Sequence, residues 1–359
     1  MKTSVYKTIF VLFLLPVMAL ASNPKWNGKH TKEKKIKKEF SVNSDALLKV
    51  NNSYGNLYIT SWNENKVVIE VHIKTNSNNE ESAQDKLDEI DIVFDASSNL
   101  VSAKTTFDNN SSWSWGWSKK NVSMEINYTI KVPINNSVDL NNDYGSINLD
   151  KINGVAKINC DYGRIDIGEL NAEGNYLNFD YTSNSSIGFI KSGKISADYS
   201  GYEIDKAGNL EISADYTSSK VNSAKNIQYN CDYGSIDIRN AHNIDGNGDY
   251  LSAKFGTLHG NVSIRSDYGG IKIDELAADA GNIQIQTDYT GVKVGYNSNY
   301  HFNFSISVEY AGIHGGDDFE YKIKREGNTD KYFEGYYGSS GKNKVTINSD
   351  YGSITFNKN

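Results

Sequence analysis

The sequence predicts an all-β chain: a single-stranded, right-handed parallel β-helix of about 17–21 residues per coil, with a small N-terminal α+β cap. Three observations lead there. The phrase Asp-Tyr-Gly followed by an apolar residue two places on recurs as Asp143-Tyr144-Gly145-Ser146-Ile147, Asp161-Tyr162-Gly163-Arg164-Ile165, Asp232-Tyr233-Gly234-Ser235-Ile236, Asp267-Tyr268-Gly269-Gly270-Ile271 and Asp350-Tyr351-Gly352-Ser353-Ile354. Degenerate copies stand at Tyr54, Tyr181, Tyr199, Tyr216, Tyr250, Tyr289 and Tyr310, so that successive tyrosines from Tyr144 to Tyr310 are 18, 19, 18, 17, 17, 17, 18, 21 and 21 residues apart. A near-fixed period of this size is the mark of a solenoid.

The third observation is the alternation around each tyrosine. At offsets −6, −4, −2 and 0 the residues read Val138, Leu140, Asn142, Tyr144, then Ala156, Ile158, Cys160, Tyr162, and likewise Leu210, Ile212, Ala214, Tyr216. Polar residues fill the places between, which is the two-residue rhythm of a strand with one buried face. This phase puts the tyrosines on the inward side, as a structural ladder of Tyr144, Tyr162, Tyr181, Tyr199, Tyr216, Tyr233, Tyr268, Tyr289 and Tyr351. Beyond the tyrosine the next apolar residues fall at +3 and +5, as in Ile147 and Leu149, so the chain turns a corner there. A further apolar residue near +8, such as Ile152 or Leu170, gives a third side.

Coils of this size bury their inner face only by stacking, with like residues falling on like residues roughly every 4.8 Å. Stacked tyrosines gain offset ring contacts worth about 0.5–1.5 kcal/mol each. A column of aspartates is awkward, since aligned carboxylates repel. Two readings stand for it: Asp opening an Asx-type turn at the corner, or Asp as a column of calcium ligands. Thr182, Ser200, Thr217 and Thr290 replace glycine at four corners, so a left-handed residue there is not compulsory.

Taken in order, residues 1–21 read as a secretory signal peptide: Lys2 and Lys7 flank a short basic region, Ile9 to Leu20 is apolar, and Ala19-Leu20-Ala21 suits cleavage. No cysteine follows for lipid attachment, and no later stretch reaches the ~18–20 apolar residues of a membrane span. Residues 22–42 read as a basic tether. Lys25 to Lys38 holds seven lysines against Glu33, a run that is either solvated or makes peripheral contact with an anionic envelope. The chain as a whole is acidic, at −7, and has four arginines, which argues against nucleic acid as a partner.

Residues 43–61 form the first coil, with Leu48, Val50, Asn52 and Tyr54 in the repeat phase. Residues 62–133 form the cap. Within it, strands are expected at Lys66–Lys74, Ile90–Phe94, Leu100–Thr106 and Val122–Val132, and a short helix at Glu80–Glu89 with Ala83, Leu87 and Ile90 on one side. The cap also carries Trp113, Trp115 and Trp117 on one side of an extended segment, either a platform for ligands or packed against the coils. Residues 134–359 are β-helix repeats, less regular between Tyr310 and Val345, where Gly315-Gly316-Asp317-Asp318 reads as a turn.

Lys37-Lys38-Glu39-Phe40, Ser53-Tyr54-Gly55-Asn56-Leu57, Trp62, Val68-Ile69-Glu70-Val71, Tyr128-Thr129-Ile130-Lys131-Val132-Pro133 and the Asp-Tyr-Gly coils together resemble the putative-adhesin family of β-strand-repeat envelope proteins of Gram-negative bacteria. The resemblance covers most of the chain after the leader. It implies a single-stranded β-helix without catalytic or ligand residues to carry over. Tyr250 and Tyr310 depart from the Asp-Tyr-Gly pattern.

Enzymatic β-helices need acids clustered with Arg, Lys or His on one face. Here Arg164, Arg239 and Arg265 fall at different offsets, and His72, His242, His259, His301 and His314 show no ligand spacing. The sequence therefore points to a non-catalytic exported solenoid, with no catalytic, cofactor-binding or metal residues assigned. Its polar outer face would meet a cell-surface or envelope glycan, or a protein; a structural or regulatory periplasmic role is the alternative. Cys160 and Cys231 invite a disulfide by parity and compartment. Both, however, occupy offset −2 four coils apart, about 19 Å at the strand spacing, where a disulfide needs Cα atoms within about 7 Å. They are expected to be buried free thiols.

Overall fold

The computed structural model describes residues 26–108, 122–341 and 343–359. The leader expected at 1–21 lies outside them. The chain is all-β apart from one short helix: 27 strands are present among the described residues. It divides into two compact units, Met1–Gly163 and Arg164–Asn359, each built on a mixed sheet.

In the first unit, repeats pair in parallel and in register. Strand Leu47–Ser53 lies beside Ser137–Asp143, with Leu48 opposite Val138 and Val50 opposite Leu140, and Ser137–Asp143 lies beside Ala156–Asp161 in the same way. The first repeat is nevertheless not the end of the stack. Its other side is covered by Leu100–Phe107, in parallel, and then by Ile90–Ala96, antiparallel. Past the corner, Leu57–Trp62 lies between Ile147–Ile152 and Ser123–Pro133. Beyond Ser123–Pro133 come Lys66–Ser77 and His30–Ser41, both antiparallel. An open stack would end in a row of unpaired strand groups, and the 62–133 excursion covers that row.

The stretch read as a basic tether is, over His30–Ser41, the outer strand of this antiparallel sheet. Part of its charge is spent on neighbours: Lys37 on Glu70 at 2.8 Å, Lys32 on Glu80 at 2.6 Å, and Glu33 on His72 at 2.9 Å. A lysine-rich edge strand discourages pairing with a second chain, so the composition that suggested a tether also suits an edge. The helix Glu80–Asp88 starts at Asn79, whose side chain accepts from the Ser82 N–H at 2.8 Å, and it buries Ala83 and Leu87. This is an ordinary N-cap.

In the second unit the repeats run as long parallel strands, Ser185–Asp198, Gly201–Asp215, Ser218–Asp232 and Ser235–Asn247, each in register with the next. Inward positions carry the core, as in the Tyr216 repeat with Leu210, Ile212, Ala214, Ser219, Val221 and Ala224 all buried. At the C-terminal end the order in space departs from the order in sequence. Strand Asn343–Asp350 lies between Ile283–Asp288 and Phe302–Glu309. Ile354–Lys358 likewise lies between Gly291–Tyr296 and Ile313–His314. The last repeat is thus inserted under the one before it, and that outer repeat is covered by the antiparallel pair Phe319–Glu326 and Asp330–Tyr337. Sequence-order stacking over 134–359 is corrected here: residues 310–341 are a second cap, held by an aromatic cluster that includes Tyr296, Phe302, Phe304, Phe319 and Tyr337.

Cys160 and Cys231 are both buried and neither is in a disulfide; the Cys160 thiol donates to the Gly145 carbonyl at 3.4 Å. No described helix is long and apolar enough to cross a membrane.

Candidate binding surface

The tyrosines face outward. Tyr144, Tyr162, Tyr181, Tyr199, Tyr216, Tyr233, Tyr268, Tyr289 and Tyr351, with Tyr54, Tyr250 and Tyr310, are between 41% and 56% exposed. This overturns the inward phase, and the backbone gives the reason. All twelve tyrosines have positive φ, from 49° to 64°. A left-handed residue rotates the chain so that Asp and Tyr both point out and the residue after Tyr points in. The inward positions are therefore −6, −4, −2, +1, +3 and +5. Counting back from the +3 and +5 apolar residues would have found this phase; the regular −6 to −2 run masked it.

The corner glycine has a different duty from the one its position suggests. It is not left-handed; it lies against the preceding repeat. A Cβ on Gly145 would come within 1.8 Å of the Gly55 carbonyl oxygen, and one on Gly234 within 2.3 Å of the Thr217 carbonyl oxygen. Where Thr or Ser stands instead, the hydroxyl bonds inside the corner, as Thr217 Oγ1 does to the Ala197 and Asp215 carbonyls at 2.9 Å each.

A non-glycine residue at positive φ costs roughly 1–2 kcal/mol. Two interactions offset it. The Tyr233 N–H donates to the Asp249 carbonyl at 3.0 Å, and equivalent bonds recur along the column. The rings also stack flat on one another. In the first unit Tyr54, Tyr144 and Tyr162 stand 5.2 and 5.1 Å apart. In the second, Tyr181 to Tyr289 follow at 4.8–5.1 Å, then Tyr351 at 4.6 Å and Tyr310 at 4.9 Å. Ring faces are closed by ring neighbours, so each column offers solvent its ring edges and phenol groups. Partial desolvation in the stack, then the neighbouring phenols and aspartates, raises the phenols of Tyr233, Tyr268 and Tyr351 above their ordinary value.

The aspartates bond between repeats. The Asp249 N–H donates to Asp232 Oδ1 at 2.8 Å, and the same bond joins Asp215 to Asp198 and Asp288 to Asp267, at 3.1 Å each. From Asp180 to Asp267 a local Asx turn is thus replaced by a ladder that satisfies one oxygen of each carboxylate. Among the described residues no group of three or more His, Cys, Asp or Glu is placed to hold a metal ion. A third polar column, of asparagines, borders a shallow groove on the same unit: Asn226 donates to Asn209 and Asn243 to Asn226, each at 2.7 Å.

The remaining sequence candidates are dispersed. Trp113, Trp115 and Trp117 lie outside the described residues. Arg265 bonds Gln286 at 3.0 Å, and His259 meets Asp279 at 2.8 Å on the surface. Neither meets a cluster of acids.

No family model matches the chain, and no curated protein matches it. Solved putative adhesins are among the structures it resembles. A putative cell adhesion protein from Clostridium sporogenes is 13% identical, over 91% of this chain and 100% of that one, with a TM-score of 0.19. A putative adhesin from Parabacteroides merdae is 10% identical, over 92% and 98%, with a TM-score of 0.32. A putative lipid binding protein from Parabacteroides distasonis is 10% identical, over 90% and 96%, with a TM-score of 0.34. At such identities and scores the likeness carries no functional argument.

Proposed function

We propose that this chain is a non-catalytic, exported binding protein whose repeats form a right-handed, single-stranded parallel β-helix and whose polar outer face engages glycans, envelope components or another protein. The observation that carries it is the column of stacked, half-exposed tyrosines beside a column of Asp, with a separate column of Asn on the same unit. Burying a ring removes far more apolar area from water than exposing it by half. A surface that holds strained, exposed tyrosines in register presents a regular comb of hydroxyl and amide groups at strand spacing. Such a comb matches a ligand that is itself long and repetitive.

Glycan-array binding by the full chain, compared with a Tyr233→Ala, Tyr250→Ala, Tyr268→Ala triple variant, tests the reading. Binding that the triple variant loses supports it. Equal binding by both would move the site away from the column. The alternative, a structural or regulatory periplasmic protein, is separated by protease shaving of intact cells: digestion only after envelope rupture favours it. Hydrolysis or elimination products from any polysaccharide would instead support a degradative enzyme.

A further inference from the structure

The column four residues after Tyr199 and the tyrosines stacked beyond it first alternates in charge and then stops doing so. Glu203 lies opposite Lys220, Lys220 opposite Asp237, and Asp237 opposite Lys254. The next neighbours are Lys272 and Lys293, with Thr355 after them. Opposite charges on adjacent strands stabilise and like charges destabilise, so three lysines abreast run against the rule that the earlier part of the column obeys. Lys272 is held by Asp274 at 2.6 Å. Among the described residues, Lys254 and Lys293 have no carboxylate within ion-pair distance.

These lysines line a surface trough together with Ser252, Gly270, Gly291 and Ser353. Neither glycine has positive φ, and a Cβ on either would meet nothing within 4 Å. Conformation and crowding therefore do not call for glycine at either place, and the missing side chains leave open space for a ligand to approach closely. Two residues earlier in the chain stand Tyr250, Tyr268, Tyr289 and Tyr351, each about half exposed. They separate the trough, along the chain, from the aspartates that precede them. Three strand spacings make the trough roughly 14 Å long.

We infer that this trough binds an extended acidic polysaccharide whose carboxylates meet Lys254, Lys272 and Lys293; the inference rests on the binding role proposed above and names its ligand class. The charge calls for an anion. The stacked ring faces leave nothing for a nucleobase to stack on. A peptide cannot add as a strand, because Gly270–Leu276 and Gly291–Tyr296 are paired on both sides. A chain of uronate sugars offers what remains: carboxylates for the lysines, and hydroxyls for Ser252, Ser353, Thr355 and the phenols.

Calorimetric titration of the full chain with polygalacturonate oligomers tests this, against the same oligomers methyl-esterified, single-stranded DNA, and anionic lipid vesicles. Polygalacturonate should bind, weaken as salt rises, and outcompete the others. Lys254→Glu with Lys293→Glu should weaken binding at least tenfold, while Lys225→Glu, on another side, should not. Gly270→Gln with Gly291→Gln keeps the charge and fills open space, so it should abolish binding at an unchanged melting temperature. Loss in the lysine variant but full binding in the glutamine variant would mean diffuse attraction and overturn the trough, as would equal binding of the esterified oligomer, DNA or vesicles. If acidic oligomers fail but a neutral glycan binds and is lost in the tyrosine triple variant, this inference falls and the wider binding role stands.

Discussion

Each corner tyrosine is a compromise between a strained backbone and a stacked ring. Replacing Tyr233 by Ala keeps the strain and removes two ring contacts, with Tyr216 and Tyr250, so it should destabilise by about 1–3 kcal/mol. Glycine at the same place removes the same contacts and relieves the positive φ, so thermal melts should rank Tyr233→Gly at or above Tyr233→Ala; the reverse order would mean the backbone is not strained there. Asp232→Ala should cost about 1 kcal/mol through the lost bond to the Asp249 N–H. Asp232→Asn keeps an acceptor and removes a like charge, and should be near neutral in the same melts. The raised phenols of Tyr233, Tyr268 and Tyr351 sit above the ordinary value of about 10. Their contribution is complete below that pH and is lost as pH climbs through the folded values. Ultraviolet difference titration should therefore show these phenolates forming later than in the unfolded chain, with melting temperature falling across the same range. Burial pushes the Cys231 thiol up to about 12, so native protein should resist alkylation that denatured protein accepts at two sites.

At the level of the element, close stacking decides which residue types each offset tolerates. Gly145→Ala would drive a Cβ into the Gly55 carbonyl, and overpacking of this kind costs about 1–3 kcal/mol. A denaturant melt that left Gly145→Ala at wild-type stability would show that neighbouring repeats can part at the corner without penalty. The first unit also carries a buried polar set at offset −2 and nearby. Asn52 bonds Asn142 and the Ile126 carbonyl at 3.0 Å each, and Thr105 bonds Asn52 at 2.9 Å and meets Tyr128 at 2.8 Å. Such a set tolerates no half-measures, because each member left alone is a buried unsatisfied group.

The two ends of the chain are treated alike within their own units: a terminal repeat is slotted beneath an outer repeat, and antiparallel strands cover the outside. The C-terminal strands are consequently interior to their stack. Truncation after Gly341 should not merely shorten the second unit; it should part Ile283–Asp288 from Phe302–Glu309 and expose two strand edges. A sharply lowered melting temperature with aggregation by light scattering is the expected outcome. A soluble, cooperatively melting truncation would mean the outer repeat can close directly on Ile283–Asp288.

The period of the tyrosines and the inward residues at −6, −4, −2, +3 and +5 were legible in the sequence because each is a local rhythm, repeated until chance is excluded. The cap strands and the short helix after Asn79 were legible from their own apolar spacing, although the cap residue itself was not read. Cys160 and Cys231 could be read as two thiols and not a disulfide, since the repeat counts the steps between them. Three things were not local. The outward turn of the tyrosines depends on one dihedral sign per repeat, which no side-chain pattern states outright. The lysine-rich strand His30–Ser41 looked like a tether until a partner strand supplied its acids. The insertion of Asn343–Asp350 beneath Phe302–Glu309 depends on which of two strands with the same apolar alternation packs against Ile283–Asp288. Both strands carry inward apolar residues in the same phase ahead of a tyrosine, so only the tertiary structure, by burying one and capping the other, could decide.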